Sequence, residues 1–314
     1  MQLKGKRILV TGSSGVIGRV LVERLMRTGA DVLGIDKVPP QRPSEEARYL
    51  TLDLAAGTPQ AAMEFAPQAV FHLAASFERT VEKAGYWKTV FENDVLASHR
   101  LLEAMDSLAA LEVFVFASSY LNYDPALYLD VPEVRMLKES DQLLPRNLVG
   151  LAKYYVDREL DFLRMTQKSF RTVSARIYRV YGRGSRDIIS RWVRAALAGE
   201  VLKVFGEKNR FDYIFADDVA EGLARLAETD EAAGALNLGS GIAWTIADVL
   251  QILNLEIGGI RTSAESEVGP IESSCADMSL FRLVTGWSPP TSLEAGIRKV
   301  VEYEKQRQTL VSPA

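Results

Sequence analysis

Thr11-Gly12-Ser13-Ser14-Gly15-Val16-Ile17-Gly18 is the stretch that decides the fold. It follows the apolar run Arg7 to Thr11 and leads into Val16, Ile17, Val20, Leu21 and Leu25 at helical spacing, which reads as strand, tight turn and helix. The glycines fall where a chain must turn sharply, approach a pyrophosphate closely and let the helix pack on its sheet. The start of the helix then offers free backbone N–H groups to phosphates. A lone glycine pattern is weak evidence; its place between a strand and an amphipathic helix makes it specific.

Outward from this turn, Asp36 closes the second apolar run, Asp31 to Ile35, 18 residues after Gly18. A carboxylate there accepts hydrogen bonds from both hydroxyls of an adenosine ribose, which points to NAD. A 2′-phosphate about 4 Å from Asp36 would meet repulsion of about 4 kcal/mol per charge pair at an effective dielectric near 20, although the neighbouring Lys37 blunts it. Asp53 and Leu54, at the end of the third strand, are candidates for the adenine edge. With Ser14, Val16 and Ile17 at the turn and Leu73, Ala74 and Ala75 after the fourth strand, they complete the expected cofactor residues.

Further apolar runs at Ala69 to Ala74, Glu112 to Ala117 and Arg171 to Ile177 alternate with helical segments, the longest from about Val81 to Leu108. Alternation predicts a doubly wound parallel α/β sheet of Rossmann type covered on both faces. Beyond it the pattern is less regular, with helices near Ile188 to Leu197, Asp218 to Ala227, Ile246 to Leu253 and Leu293 to Lys305. The expected division is a nucleotide-binding core over 1–177 and a smaller α/β substrate-binding portion over 178–314, some of whose segments return to the core. Pro39 to Arg48 reads as a surface connection between strands.

The 314 residues, 47% hydrophobic and 25% charged, can bury a full core. A net charge of -4 and a pI near 5.5 provide no basic field for nucleic acid or anionic lipid, so a small phosphorylated ligand fits better than a polymer. The single cysteine, Cys275, allows no internal disulfide. Neither a signal peptide nor an apolar run long enough for a bilayer is evident, so the expected location is cytoplasmic. His72 and His99 lack metal-ligand spacing and read as structural. Asp217 and Asp218 are expected to cap the following helix.

The residues resemble the extended short-chain dehydrogenase/reductases, in particular their nucleotide-sugar epimerase/dehydratase branch. The likeness runs through the glycine turn, Phe71-His72-Leu73-Ala74-Ala75, Leu101-Leu102-Glu103-Ala104, Ser118-Ser119 and Lys153. It continues through Val180-Tyr181-Gly182, Asp217-Asp218-Val219, Asn237-Leu238-Gly239-Ser240-Gly241 and Gly286-Trp287-Ser288-Pro289. The resemblance implies bound NAD, a nucleoside-diphosphate sugar held by the C-terminal portion, and hydride transfer to and from a sugar carbon. It also implies homodimers joined through two long helices, here about Val81 to Leu108 and Arg146 to Arg164. Ser76, Tyr120, Arg179, Arg183 and Arg210 are its implied substrate contacts, with Arg176 and Arg186 also placed to face a diphosphate, which guanidinium forks suit.

A hydride leaves a carbinol carbon only as the hydroxyl proton is removed, so the chemistry needs a base beside the nicotinamide and a cation to lower its pKa. Family members place a tyrosine four residues before a lysine on one helix face, with a serine or threonine completing the hydrogen bonding. Lys153 and Ser119 fall where that pattern needs them; the tyrosine position is Val149. Loss of a positioned acid/base costs roughly 10²- to 10⁴-fold unless another group takes over. Tyr120 and Tyr123 are the candidates, Tyr120 preferred because dehydratases of this branch carry an acid at its position. The plain alternative is that Tyr120 only packs against ligand. Other departures are Asp94 in place of an asparagine, Arg179 in place of an asparagine, and Phe211-Asp212-Tyr213 in place of an Arg-Asp-aromatic run.

Two classes of function therefore stay open. One is an NAD-dependent epimerase or related oxidation/reduction of a nucleoside-diphosphate sugar, with an atypical dehydratase or a keto-sugar reductase beside it. The other is a catalytically weakened protein that binds NAD and a nucleotide sugar. Fold alone does not decide between them.

Overall fold

The computed structural model describes residues 1–40, 47–57, 59–76, 84–166, 169–265 and 269–311. Most of Pro39 to Arg48 and the first turn of the helix expected from Val81 lie outside the described residues. The strands in chain order are β1 (Arg7–Thr11), β2 (Asp31–Asp36), β3 (Arg48–Thr51), β4 (Ala69–His72), β5 (Val113–Ser119), β6 (Arg135–Leu137), β7 (Arg171–Ile177), β8 (Arg179–Tyr181), β9 (Val201–Val204), β10 (Arg210–Phe215), β11 (Gly234–Leu238), β12 (Ala243–Thr245), β13 (Arg261–Ala264) and β14 (Ser273–Ala276). The helices are α1 (Val16–Arg27), α2 (Gln60–Phe65), α3 (Ala84–Val90), α4 (Ala97–Asp106), α5 (Leu148–Thr166), α6 (Ile188–Leu197), α7 (Ala216–Glu228), α8 (Ile246–Ile257), α9 (Ser279–Thr285) and α10 (Leu293–Val311).

Seven strands form one parallel sheet in the order β11-β7-β5-β4-β1-β2-β3. Because both faces carry helices, its central strands are apolar on both sides rather than alternating, and Ile8, Leu9, Val10, Val70, Phe71, Phe114 and Val115 are inaccessible to solvent. The chain runs outward from β1 through β2 to β3, then returns to place β4 on the other side of β1. Diverging connections open a crevice at the carboxyl ends of β1 and β4, the place where doubly wound sheets bind ligands. The glycine turn ends β1 at that crevice. β11 returns late in the chain to extend the same sheet beside β7.

A second, mixed sheet orders β12-β10-β14-β6, with β8 paired to β10. It packs with α6, α8 and α10 around Trp192, Val193, Phe211, Val249, Leu253, Ile297 and Val300. β8 follows β7 after a single residue, so the chain passes directly from the second-last strand of the large sheet into the small one at Arg179.

Between Ala84 and Asp106 the chain is one rod in three parts, α3, a π-turn at Phe91–Leu96, and α4. Asp217 and Asp218 do not cap α7. The N-cap is Phe215, and both aspartates lie in the first turn, where Asp217 pairs with Arg183 at 2.7 Å and Asp218 accepts from Thr291 N at 3.0 Å. Both carboxylates still favour the helix start through its dipole. No helix among the described residues is long and apolar enough to cross a membrane.

Phe71 sits in β4 between β1 and β5 with no exposed surface. Phe71→Ala is expected to lower unfolding free energy by about 3–5 kcal/mol, read from denaturant melts, because the cavity it leaves cannot collapse between paired strands.

Candidate active site

Gly12 has φ +69°, and a Cβ there would lie 2.7 Å from the backbone N of Ala74. A Cβ on Gly18 would lie 2.0 Å from the carbonyl oxygen of Gly12, so α1 and the turn touch backbone to backbone. Gly15 is the N-cap of α1 and supplies no side-chain cap, which leaves the first N–H groups of the helix for a ligand. Val16 and Ile17 begin that first turn, half-buried. The cradle is thus shaped by missing side chains and lined by unclaimed donors, which fits a linked pair of phosphates.

Asp36 stands at the lip of the turn, its carboxylate accepting from Ser14 N at 3.0 Å and Val38 N at 3.1 Å. Lys37 pairs with Asp53 at 3.2 Å and also donates to Asn93. Asp53 lies two residues beyond β3 and accepts from Ala55 N at 2.9 Å, whereas Leu54 is buried among the apolar residues behind the sheet. Leu73 and Ala74 press against Gly12, and Ala75 is exposed beside them. Behind β4, Thr11 Oγ1 and His72 Nδ1 are 2.7 Å apart and His72 Nε2 is 2.8 Å from Ser98 Oγ. Burial pushes the imidazole pKa down to about 3, so His72 is a neutral structural spacer.

The reactive end is built by β5 and α5. Ser119 ends β5, and its Oγ accepts from Leu121 N at 3.2 Å, leaving the hydroxyl proton to donate elsewhere. Asn147 Oδ1 caps α5 through Gly150 N at 2.8 Å. A Cβ on Gly150 would lie 2.6 Å from Leu121 O, so α5 packs tightly on the loop after β5. This contact lays α5 against β5, with Lys153 over Phe116 of that strand. The lysine ammonium stands 4.6 Å from the Phe116 ring centroid, buried, and burial lowers its pKa against the pull of Asp94 and Asp157. Val149, one turn earlier, is sealed in the core.

Tyr120 is 1% exposed, stacked on Tyr178 with centroids 5.0 Å apart, and its hydroxyl has no partner among the described residues. The cation nearest its ring is Arg179, 5.9 Å from the centroid. Tyr123 instead donates to Asn237 Oδ1 at 2.7 Å, and burial raises its pKa to about 12. Arg176 does not face a ligand. It is sealed beneath the sheet's end, 3.6 Å from Asp157 and donating to Tyr123 Oη and Glu139 O. Arg183 is held by Asp217, Arg186 is exposed, and Arg210 is half-buried at the start of β10. Ser76 donates its N–H to Asp94 at 2.6 Å.

A cluster that sequence reasoning missed adjoins Tyr120. Glu272 joins Arg146 at 2.6 Å and Arg179 at 3.1 Å, and Arg179 lies 3.6 Å over the Phe211 ring. Around them the hydroxyls of Tyr120, Tyr128 and Tyr213 are buried without partners among the described residues. Nothing local in the sequence marks Glu272, because it is brought to Arg179 only by the parallel course of β14 and β8 on either side of β10. Among the described residues no group of three or more His, Cys, Asp or Glu is placed to hold a metal.

A parallel sheet with a glycine-lined cradle at its switch point defines a Rossmann-type nucleotide-binding scaffold. Residues 8–239 match the model of the NAD dependent epimerase/dehydratase family, and the chain belongs to that family. NAD is accordingly its cofactor. The chain is 28% identical to a UDP-glucose 4-epimerase of Mycolicibacterium smegmatis, the alignment covering 96% of this chain and 99% of that protein. Among solved structures it resembles MoeE5 in complex with UDP-glucuronic acid and NAD, with TM-score 0.82, 27% identity and coverage of 96% of this chain and 99% of the other. It also resembles the UDP-glucose 4-epimerase of Thermus thermophilus in complex with NAD, with TM-score 0.82, 25% identity and coverage of 95% and 99%.

Glu272 is 4% exposed, and its two arginines hold its pKa down to about 2 against a usual 4.5 despite the opposing cost of burial. The folded state therefore binds this proton less readily than the unfolded chain. Its stabilisation is complete above pH 4.5 and is lost as pH falls toward 2, a span of about 3 kcal/mol. Glu272→Gln should remove that acid-limb dependence in denaturant melts between pH 5 and 2.5. It should also destabilise the protein at pH 7 by about 2–3 kcal/mol, since two half-buried guanidinia lose their counter-charge.

Proposed function

We propose that this protein is an NAD-dependent epimerase, or a closely related oxidation/reduction enzyme, acting on a nucleoside-diphosphate sugar. The observation that carries the reading is the buried Lys153 ammonium packed over Phe116 of β5, the strand that ends in Ser119 and lies in the same sheet as the glycine turn. When bound, NAD supplies the reversible hydride acceptor. Lys153 holds the nicotinamide ribose and contributes positive charge that favours an ionised oxygen nearby. Ser119 donates its free hydroxyl proton to the reacting sugar oxygen. Tyr120 provides a buried phenol next to Arg179, and Arg179, Arg183, Arg210 and Ser76 are the residues offered to the sugar nucleotide. The family's relatives, matched over nearly their whole lengths, include a UDP-glucose 4-epimerase and a dTDP-L-rhamnose 4-epimerase, which supports the substrate class.

One observation favours a second reading. Val149 fills the position of the family phenol with an aliphatic side chain packed in the core, which is what a protein that binds NAD and a nucleotide sugar without turning it over would show. Incubation with UDP-, GDP-, CDP- and dTDP-sugars, followed by product analysis and by absorbance of NADH, separates the two. New product or transient NADH is the expected result, and absence of both across the panel favours the binding protein. Tyr120→Phe is expected to lower turnover at least about tenfold with NAD binding retained; unchanged turnover rejects an acid/base role for it.

We also propose that the protein is a homodimer joined through α3 and α5. Leu151, Tyr155, Phe162 and Met165 lie along one stripe of α5 and are 42%, 49%, 59% and 72% exposed, and exposed Trp87 and Phe91 add a ring pair. An apolar stripe of this length on a water-facing helix marks an interface. Phe162→Glu is expected to shift the mass measured by light scattering from dimer to monomer.

A further inference from the structure

The rod between Ala84 and Asp106 has one irregularity, the π-turn Phe91–Leu96. Such a turn inserts a residue into the helical count and re-aims the side chains it contains, at a cost in hydrogen-bond geometry. Here it turns Asp94 inward. The residue is 3% exposed, Oδ1 accepts the Ser76 N–H, and Oδ2 is buried with no partner among the described residues. The carbonyl of Asp94 is bonded by Ser98, which links it to His72.

From α5, Lys153 faces this carboxyl. Its ammonium makes a cation–π contact with Phe116 and no hydrogen bond to any described residue. Asp94 and Lys153 feel one another's charge without closing into an ion pair. The other charged or titratable groups around the two are Lys37 after β2, Asp157 one turn further along α5, and neutral His72 at the end of β4. A buried acid with a free oxygen, opposite a buried base with no bonded partner, is costly unless a ligand uses the arrangement.

We propose that Asp94 is a positioning residue whose carboxylate sets the net charge around Lys153, and thereby the preference of the site for oxidised over reduced nicotinamide. This rests on the reading above that Lys153 holds the nicotinamide ribose. The oxidised ring is a cation and the reduced ring is neutral. With Asp94 ionised, the Asp94 and Lys153 charges cancel and a cationic ring is tolerated. With Asp94 protonated, Lys153 is uncompensated and the neutral ring is favoured. Burial raises the Asp94 pKa to about 6, with Lys153, the Ser76 hydrogen bonds and Lys37 holding it back, so both states are reachable in ordinary buffers. An asparagine at this position accepts the Ser76 N–H equally well and cannot change charge.

The test is equilibrium binding of NAD⁺ and NADH to protein stripped of nucleotide, from pH 5 to 8, using NADH fluorescence and its displacement by NAD⁺. In the unmodified protein the preference for NADH over NAD⁺ should rise on the order of tenfold as pH falls through about 6. Asp94→Asn should abolish that dependence and hold the ratio at its low-pH value. Carbon-13 titration of labelled aspartate carboxyls, assigned through the backbone, should show Asp94 titrating near 6, and this readout stands even if Asp94→Asn fails to fold. A flat ratio in the unmodified protein, a pH dependence that survives in Asp94→Asn, or an Asp94 carboxyl titrating in the ordinary range near 4 overturns the proposal. Failure to bind either nucleotide overturns it together with the function proposed above; a flat ratio with sugar turnover intact overturns this inference alone.

Discussion

Everything at the active end of this molecule depends on one backbone contact, Gly18 against the carbonyl of Gly12, with Gly12 in turn against Leu73 and Ala74. Neither approach leaves room for a Cβ. The first allows α1 to begin immediately at the carboxyl end of β1, so its free N–H groups point into the crevice. The second clamps β4 to the turn, which puts Ala75 and Ser76 at the rim and, through Ser76, reaches Asp94 on the neighbouring rod. One steric constraint therefore sets the relation between the phosphate cradle and the reactive end.

The buried charges form the next layer. Removing a charge from water costs several kcal/mol, recovered only where partners are close and the remaining hydrogen-bonding groups are satisfied. The Arg176, Asp157 and Asn122 group behind β5 meets part of that condition, with Asn122 Nδ2 donating to Asp157 at 2.8 Å and Arg176 donating to Tyr123 and Glu139, while Arg176 Nε, Asp157 Oδ1 and Asn122 Oδ1 have no partner among the described residues. The group at Arg146, Arg179 and Glu272 also meets only part of it. It holds two cations to one anion and is ringed by hydroxyls with no described partner. What separates the two is charge balance: Arg176 faces one carboxylate, whereas two guanidinia share Glu272, and that excess positive charge is ringed by hydroxyls a polar ligand can complete.

The parallel core was legible because β strands covered on both faces must be apolar throughout, and the runs at Arg7, Asp31, Ala69, Val113 and Arg171 show this without any tertiary information. The glycine turn's backbone geometry and the place of Asp36 at the end of β2 were equally readable, since both follow from local sequence. Legibility fell wherever the structure is made by distant segments. Glu272 meets Arg179 across 93 positions of chain, and the cap expected from Asp217 and Asp218 gave way to Arg183 and Thr291, which no local pattern announces. Arg176 is the instructive reversal. An arginine at the end of a central strand looks like a phosphate ligand, yet Asp157 on α5 and Tyr123 on the loop after β5 draw it into the interior.

On the function proposed above, Val149 in the place of a phenol alters more than a single catalytic role. A tyrosine one turn before Lys153 would give the ammonium a partner that can carry negative charge; an aliphatic side chain leaves that cation facing Phe116 and the interior. Burial then works against the lysine's charge, and the carboxylates able to sustain it are Asp94 and Asp157. Asp157 accepts from Asn122 and lies within 3.6 Å of Arg176, so its charge is largely shared although its Oδ1, like Asp94 Oδ2, has no partner among the described residues. Asp94 has no arginine beside it to share its charge with. The π-turn that aims it inward is costly in a rod that could have remained α-helical, and that cost is understandable if the electrostatic balance once shared between a phenol and a lysine has moved, in this chain, onto a carboxylate on the neighbouring helix.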